Sequence, residues 1–277
     1  MGIGLILGFF DGVHVAHQAV IRSAKDFADK TVLISLKNFH KNSDYILTRE
    51  ESFKKIKSLG VDSIEELDFR EISTLPAEEF LKFLVKKYSP ISISSGFNYT
   101  FGYKRSGDTN LLTLNQEKYG YKYICTPPLK YNGKIVSSTL IKSLLQEGHI
   151  KEANALLKSN FILEGEVIKG AQLGRTIEFP TANINYPQGI IKIPFGVYKA
   201  KFNGLPSVLN WGIKPTVHNT KEPIAELHIL DFAENLYGKN IRIEVLDKIR
   251  DEHKFNSLEE LKAQIKKDVE ACLKSLS

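Results

Sequence analysis

The feature that most constrains the fold is a change in sequence pattern near Lys158–Asn160. Before it, short apolar runs alternate with amphipathic stretches, which is typical of a parallel sheet with helices on both faces. After it, short alternating segments are separated by Gly, Pro, Asn and Asp, which is typical of an antiparallel barrel or sandwich. We therefore predict a doubly wound parallel α/β domain over residues 1–158. An antiparallel β-barrel domain with a terminal helix is predicted over residues 159–277.

Apolar runs predict the strands of the first domain, which are Gly4–Phe10, Thr31–Leu36, Val61–Leu67, Ile91–Ser94 and Tyr121–Thr126. Amphipathic stretches predict the helices between them, which are Val15–Phe27, Thr48–Leu59 and Pro76–Tyr88. In doubly wound sheets, ligands bind outside the carboxyl ends of the strands. The loops after Phe10 and after Ser94 are therefore where we expect the chemistry.

The pattern at the end of the first domain predicts two helices between Ser137 and Leu157, interrupted at Gly148. Alternating segments then predict five strands, which are Ile162–Ile168, Gly196–Phe202, Ser207–Trp211, Ile224–Leu230 and Ile241–Leu246. A last amphipathic stretch, Ser257–Leu273, predicts a helix that packs on the barrel.

The composition excludes several classes of protein. Hydrophobic residues make up 42% and charged residues 25% of the chain, which is ordinary for a soluble globular protein. The N-terminal apolar run reaches Asp11 and His14 too early for a secretory signal, and no other apolar run approaches the ~20 residues of a membrane span. The two cysteines, Cys125 and Cys272, have no metal-binding or disulfide spacing. We therefore expect a cytoplasmic protein with no membrane partner.

The net charge of +6 fits an anionic partner such as a nucleotide or a nucleic acid. However, lysines lie beside glutamates in the predicted helices, as in Phe53–Lys57 and Leu258–Lys267, which is typical of solvated helix surface. The arginines do not cluster in the sequence. We therefore expect no nucleic-acid partner.

The stretch Gly165–Asn183 combines a glycine-spaced loop with oxygen-bearing side chains. Gly170 and Gly174 let the backbone approach a ligand closely, so that successive amides can turn toward phosphate. Thr181 and Asn183 are two residues apart and share one face of an extended segment. Their hydroxyl and amide oxygens suit Mg²⁺ bound together with nucleotide phosphates. A hairpin followed by an ordinary turn is the alternative interpretation.

Two histidines, His14 and His17, lie three residues apart where the first strand turns into a helix. On the first helical turn both imidazoles can face one phosphate, and the helix N-terminus adds exposed N–H groups and a positive dipole. This arrangement predicts a triphosphate site. A single histidine in this place would instead be a cap or a packed side chain.

Residues 8–17 read GFFDGVHVAH and resemble the motif of the HxGH nucleotidyltransferases. Further stretches resemble those of the bacterial bifunctional riboflavin kinase/FAD synthetases, and they are Ser95–Gly102, Arg105–Asp108, Val136–Lys142, Gly165–Asn183, Asn210–Thr216, Glu226–His228 and Leu236–Phe255. The correspondence runs in order over almost the whole chain, which is more specific than any single motif.

This resemblance implies two reactions that use ATP as co-substrate and Mg²⁺ as cofactor. In the second domain, riboflavin would be phosphorylated to FMN. In the first domain, FMN would be adenylylated to FAD with release of pyrophosphate. Both are in-line displacements at phosphorus, in which positioning and charge stabilisation dominate.

The resemblance also assigns roles in the first domain. His14 and His17 would stabilise charge on the α-phosphate and the pyrophosphate. The residues expected to bind ATP are Gly8, Phe10, Asp11, Ser137, Ser138, Thr139 and Lys142. The residues expected to bind flavin are Asn98, Phe101 and Arg105.

In the second domain, the resemblance makes Glu226 the general base of the kinase; a solvated strand glutamate is the alternative. Thr181 and Asn183 would hold the metal. The loop with Gly170, Gly174 and Arg175 would cover the ATP phosphates. The residues expected to bind flavin are Asn210 and Arg250.

The sequence departs from the family pattern at three positions. Ala16 stands where the family has a glycine between the histidines, which adds a methyl where ATP should approach. Lys142 stands where the family usually has arginine, so bidentate contact with phosphate is lost. Glu178 replaces a glycine just before the Pro180–Asn183 segment and places a carboxylate beside the expected phosphate loop.

These departures leave three alternatives to a bifunctional enzyme. The first is a riboflavin kinase whose adenylyltransferase is weakened or lost through Ala16 and Lys142. The second is a relative of the class I aminoacyl-tRNA synthetases, which would need a tRNA-binding domain. The third is a non-enzymatic flavin- or RNA-binding regulator, which would not need the base Glu226. The sequence leaves open whether the chain forms a homo-oligomer.

Overall fold

The computed structural model describes residues 2–39, 44–169, 179–186, 188–215 and 221–274. The chain forms two compact units, Met1–Leu140 and Ile141–Ser277. The domain boundary at residue 158 stays a prediction. Among the described residues, no helix combines the length and the apolar character that crossing a membrane requires.

The first unit contains a five-stranded parallel sheet in the order β3-β2-β1-β4-β5. Its strands are β1 (Ile3–Leu7), β2 (Lys30–Lys37), β3 (Ser63–Asp68), β4 (Ser92–Gly96) and β5 (Lys122–Thr126). The strand order reverses between β1 and β4, so both strands present their carboxyl ends at the topological switch point of the sheet. This confirms the predicted doubly wound fold.

Helices cover both faces of this sheet, and they are α1 (Val15–Lys25), α2 (Arg49–Ser58), α3 (Phe69–Ile72), α4 (Ala77–Tyr88), α5 (Thr109–Leu114) and α6 (Gln116–Tyr119). Strand β1 shows why both faces need to be covered. Successive side chains of a strand point to opposite faces of the sheet, and in β1 both sets are apolar. Leu5 and Leu7 pack with Leu81 of α4 in one apolar cluster, whereas Ile6 packs with Ile21 of α1 in another.

A short hairpin, β6 (Lys130–Tyr131) and β7 (Lys134–Ile135), follows the sheet. Helix α7 (Ser138–Gln146) begins in the first unit and ends in the second, and α8 (Ile150–Leu157) follows it. Between them Gly148 has φ of +82°, a left-handed conformation that a glycine adopts readily. This confirms the predicted interruption.

The second unit contains a closed barrel in the order β10-β11-β12-β9-β8-β13. Its strands are β8 (Phe161–Ile168), β9 (Ala182–Ile184), β10 (Gly196–Phe202), β11 (Leu205–Pro215), β12 (Lys221–Ile229) and β13 (Asn240–Asp251). All its pairings are antiparallel. The last helix, α9 (Leu258–Leu273), begins at Ser257, whose side chain accepts a hydrogen bond from the Glu260 amide.

The two sides of the barrel wall differ in what they contact. Tyr198, Leu209 and Leu227 are completely buried. Val197 and Val208 point to the other side, where Cys272 of α9 packs on them. The barrel and its terminal helix therefore confirm the predicted architecture of the second half.

The structure also corrects several predicted elements. Strand β1 ends at Leu7, so Gly8–Phe10 belong to the turn. Strand β9, the β6–β7 hairpin, and helices α3, α5 and α6 were absent from the sequence prediction. Most of these are short, and segments of two to six residues carry too little periodicity to be recognised.

Candidate active sites

A cavity of about 660 Å³ lies at the carboxyl ends of β1 and β4. The loop after β1 contributes Gly8, Phe9, Phe10 and His14 to its wall, and the first turn of α1 contributes Ala16 and His17. The end of β4 and the loop after it contribute residues 96–102. Ser137, just before α7, and Ser138 and Thr139 at its start complete the wall. The structure therefore brings together three sequence motifs, at residues 8–17, 96–102 and 137–139, that are separate in the sequence.

The two histidines at this cavity stack on each other. Their ring centroids lie 3.6 Å apart and their planes differ by 18°. His14 is the N-cap of α1, where its Nδ1 accepts a hydrogen bond of 3.4 Å from the His17 amide. Because Nδ1 is an acceptor, the hydrogen of the neutral imidazole of His14 lies on Nε2.

Burial controls the charge of His14, whose exposed fraction is only 3%. Burial lowers the pKa of His14 to about 4; the carboxylate of Asp11 opposes this shift and the ammonium of Lys55 adds to it. His14 is therefore neutral near pH 7 and can offer an N–H donor rather than a full positive charge.

Asp11 is held by protein groups on both its side chain and its backbone. Its Oδ1 accepts a hydrogen bond of 2.8 Å from the Ile46 amide, and its carbonyl oxygen accepts one of 3.0 Å from Ser138 Oγ. Phe10 packs its ring against that of His17 with centroids 5.0 Å apart. Asp11 therefore ties the turn after β1 to two other segments.

The serines at the start of α7 have distinct partners. Ser137 Oγ accepts a hydrogen bond of 3.2 Å from the Leu140 amide, as a helix cap does. Ser138 Oγ donates to Asp11, as described above. Lys142 lies further along the same helix, where it is buried, and it belongs to the second compact unit. Its contact with phosphate stays a prediction.

The three residues predicted to bind flavin in the first domain all line the cavity. Asn98 and Arg105 are exposed. Arg105 has φ of +57°, an uncommon conformation for a residue other than glycine. Phe101 is buried and stacks on Tyr99 with ring centroids 5.6 Å apart. The ring of Phe101 is therefore a packed wall of the cavity rather than a free surface.

In the second unit, three predicted site residues are neighbours on adjacent strands. Glu226 of β12 lies directly opposite Asn183 of β9 on one side and Asn210 of β11 on the other. Residues that pair in this way point to the same side of a sheet. Asn210 Nδ2 donates to Glu226 Oε2 at 3.5 Å.

This row of side chains extends across the outer side of the barrel. Asn210 pairs with Val197, and Val197 pairs with Arg250. Val197 is the residue that α9 covers, so Asn183, Glu226 and Asn210 share its side of the wall. A ligand that reaches Glu226 would therefore approach from outside the barrel.

The segment before β9 is anchored to the same strand as Glu226. His228 Nδ1 lies 2.8 Å from the carbonyl oxygen of Pro180, and the His228 ring contacts Phe179 with centroids 5.4 Å apart. Because a carbonyl only accepts, Nδ1 carries the hydrogen. Thr181 and Asn183 follow directly, so this contact places both near β12.

Arg250, predicted to bind flavin, is engaged with α9. Its guanidinium forms a bidentate pair with the buried carboxylate of Asp268, with Nε–Oδ1 at 3.0 Å and Nη2–Oδ2 at 2.9 Å. Nη1 also donates to the Asp251 carbonyl oxygen at 3.0 Å. These contacts hold the end of β13 to α9. Contact of Arg250 with flavin stays a prediction.

The two halves of the chain match two different family models. A family model described as FAD synthetase matches residues 2–140, and one described as riboflavin kinase matches residues 157–276. A Bacillus subtilis protein named bifunctional riboflavin kinase/FMN adenylyltransferase is 34% identical over 99% of this chain and 92% of its own length. The chain belongs to this bifunctional family. The Escherichia coli K12 protein of the same name is 33% identical over 96% of this chain and 90% of its own length.

A solved structure from Streptococcus pneumoniae also resembles this riboflavin kinase/FMN adenylyltransferase family member. It is described as a macrolide-efflux protein and is 30% identical, with a TM-score of 0.87 over 98% of this chain and 93% of that chain. The shared fold therefore extends over almost the whole chain. We assign no efflux function to this chain from the description of that protein.

The family match confirms the resemblance drawn from the sequence, and none of the comparisons favours the alternative functions. Several predicted kinase residues lie outside the described residues: Gly170, Gly174, Arg175 and Glu178. Their roles stay predictions.

Sequence reasoning missed an aromatic group in the cavity of this family member. Phe9, Phe39 and Phe69 line it, with ring centroids 5.5 Å apart for Phe9 and Phe39 and 4.9 Å apart for Phe39 and Phe69. Each follows one of the strands β1, β2 and β3. A search for aromatic residues just beyond strands of a parallel sheet would have found them.

Proposed function

We infer that this chain is a bifunctional enzyme of flavin cofactor synthesis. It phosphorylates riboflavin with ATP to give FMN, and it adenylylates FMN with a second ATP to give FAD and pyrophosphate. Riboflavin, FMN, FAD and ATP are its substrates and products. The observation that carries this conclusion is that both family models match the chain, one over residues 2–140 and the other over 157–276.

For the kinase, we propose Glu226 as the general base. It would accept the proton of the ribityl 5′-hydroxyl while that oxygen forms a bond to the γ-phosphorus and the bond to ADP breaks. Asn210, 3.5 Å from the Glu226 carboxylate, would orient Glu226 and the flavin. Support comes from the row of paired residues on the outer side of the barrel.

We propose that Thr181 and Asn183 hold Mg²⁺ together with the ATP phosphates. The donor set fits, because a hydroxyl and an amide oxygen are hard ligands and Mg²⁺ usually needs few protein ligands when phosphates are present. No group of three His, Cys, Asp or Glu side chains suited to a metal occurs within the described ranges. The ion would neutralise phosphate charge and orient the γ-phosphate. The segment with Gly170, Gly174 and Arg175 is proposed to cover the phosphates.

For the adenylyltransferase, we propose that the FMN phosphate attacks the α-phosphorus of ATP and that pyrophosphate leaves. His14 would donate from Nε2 to a phosphate oxygen, and His17 would stabilise the same charge. The first amides of α7, after Ser137, would add donors from a helix N-terminus. Gly8, Phe10, Asp11, Ser138, Thr139 and Lys142 are proposed to complete the ATP site.

The flavin end of the cavity is proposed to lie between the aromatic group and the loop after β4. The rings of Phe9, Phe39 and Phe69 offer a surface on which an isoalloxazine ring can stack. Asn98 would position the flavin, and the exposed guanidinium of Arg105 would attract its phosphate.

We further propose that the enzyme is cytoplasmic and that its partners are small molecules rather than nucleic acids or membranes. Neither Cys125 nor Cys272 forms a disulfide, which suits a reducing compartment. We keep the proposed domains at residues 1–158 and 159–277. Formation of a homo-oligomer remains an open expectation.

The test is to incubate the purified chain with riboflavin, ATP and Mg²⁺ and to separate the products by chromatography. Both FMN and FAD should accumulate. FMN without FAD would remove the adenylyltransferase from the proposal. No FMN at all would refute the kinase.

A further inference from the structure

The turn that carries His14 has a strained backbone. Gly12 has φ of +81° and Val13 has φ of +45°. A left-handed conformation is a genuine outlier for a β-branched residue such as valine, and it is energetically unfavourable. Val13 is completely buried among Ile6, Phe10 and Ile21. Such strain persists only where the surroundings hold the backbone in place.

Three consecutive carbonyl groups in this turn accept hydrogen bonds from side chains of three different helices. Ser138 of α7 donates to the Asp11 carbonyl oxygen at 3.0 Å, and Lys55 of α2 donates to that of Gly12 at 3.3 Å. Gln18 of α1 donates to that of Val13 at 3.0 Å, and this bond is buried. We call these three donors the carbonyl clamp.

The carbonyl clamp acts on the peptide units that set the position of His14. The Val13 carbonyl belongs to the planar peptide group that joins Val13 to His14. The orientation of this peptide group therefore determines the position of the His14 Cα and the direction of its side chain. A rotation of this peptide would move the imidazole and break its cap to the His17 amide. Displacements of about 1 Å can cost a hundredfold in rate when a group must meet its substrate closely.

We propose that Gln18 and Lys55 are positioning residues for adenylyl transfer, which hold the Gly12 and Val13 carbonyls so that His14 points into the cavity. This inference rests on the proposed adenylyltransferase function and deepens it. Ser138 is the third member of the clamp, but its place at the proposed ATP site makes it unsuitable for a clean test.

The environment of Lys55 supports this role. Its side chain is partly buried, and burial lowers the pKa of the Lys55 ammonium to about 8. A charged group in such a place is unfavourable unless it is paired or hydrogen-bonded, and the Gly12 carbonyl oxygen accepts a hydrogen bond from Lys55. Lys57, on the same helix, is exposed and donates to the Asp62 carbonyl oxygen instead. It provides a matched control.

The experiment measures FAD formation from FMN and ATP by the full chain. Far-UV circular dichroism and unfolding in urea check that each variant is folded, and riboflavin phosphorylation, a reaction of the second unit, checks that the rest of the chain is intact. Gln18→Met and Lys55→Met should lower kcat by about tenfold to a hundredfold, with KM for ATP less affected. Lys55→Arg keeps a donor and should retain most activity, and Lys57→Met should behave as the parent. Kinase turnover should not change in any of them.

A double-mutant cycle with His14→Asn separates positioning from general stability. If the clamp acts through His14, Gln18→Met should have little further effect once His14 is replaced. If Gln18→Met unfolds at a lower urea concentration than the parent, the comparison of Lys55→Met with Lys55→Arg decides. Equal, normal FAD formation by Lys55→Met and Lys55→Arg, or a full additional loss in the double variant, would overturn the proposal. A parent with no FAD formation would instead refute the adenylyltransferase itself.

Discussion

His14 combines a buried ring, a capping role and a place at the cavity wall. Its lowered pKa makes a direct prediction for the free protein. Histidine resonances followed by NMR should show His14 titrating near pH 4, and a non-hydrolysable ATP analogue should raise this pKa because phosphate charge favours the protonated ring. Titration near the ordinary histidine value in the free protein would contradict the described environment.

The same shift links His14 to stability. Because its pKa of about 4 in the folded protein lies below the ordinary histidine value of 6.5, unfolding takes up protons between these pH values. The stabilisation from neutral His14 is therefore complete above pH 6.5 and is lost as the pH falls toward 4. Unfolding in urea should show that the pH dependence in this window is smaller in His14→Asn than in the parent.

Ala16 places a methyl group in the cavity wall between the two histidines. Replacing Ala16 by Gly should lower KM for ATP in FAD formation by about threefold to tenfold, because about 0.7–1.4 kcal/mol of steric cost would be relieved. The helix should lose about 1 kcal/mol from glycine at this position. Steady-state kinetics with FMN and ATP measures this KM in the parent and in Ala16→Gly. An unchanged or raised KM would show that the methyl does not limit ATP binding.

At the scale of residues, the sequence predicted which side chains lie at the cavity but not how they are held. His14 and His17 could be recognised because their spacing and their place at a strand–helix turn are local. The partners of Asp11 could not, because Ile46 and Ser138 lie 35 and 127 residues away. The role of Lys55 was hidden for the same reason, since nothing distinguishes it in sequence from the exposed lysines of α2.

At the scale of elements, the pair between Arg250 and Asp268 holds α9 to the end of β13. Asp268→Asn should destabilise this attachment by about 3 kcal/mol, because a largely buried guanidinium would lose its counter-charge. Hydrogen exchange of the α9 amides should accelerate accordingly. Glu79→Gln removes an exposed pair with Lys82 and should leave stability nearly unchanged. Unchanged protection of α9 in Asp268→Asn would contradict this prediction.

The long elements of both halves were predictable because their hydrophobic periodicity is strong. The barrel strand β9 was not, because its three residues acquire a strand conformation only by pairing with β12 and β8. The register that places Asn183 opposite Glu226 and Glu226 opposite Asn210 is equally a long-range property. The sequence therefore identified the kinase residues through a family resemblance, whereas the structure supplies the physical reason why they act together.

At the scale of the whole molecule, the central claim is that one chain carries two distinct sites for successive reactions. The His14 cavity lies in the unit Met1–Leu140, and Glu226 lies in the unit Ile141–Ser277. Each reaction should therefore be lost separately. Glu234 is exposed in the second unit and provides a matched control for Glu226.

The most direct measurement is to assay Glu226→Gln, His14→Asn and Glu234→Gln with riboflavin and ATP and, separately, with FMN and ATP. Loss of a general base should lower FMN formation by Glu226→Gln about a hundredfold or more, while FAD formation from supplied FMN stays normal. His14→Asn should show the reverse pattern, and Glu234→Gln should match the parent in both reactions. Parallel loss of both activities in Glu226→Gln, or undiminished FMN formation by it, would contradict the assignment of two separate sites.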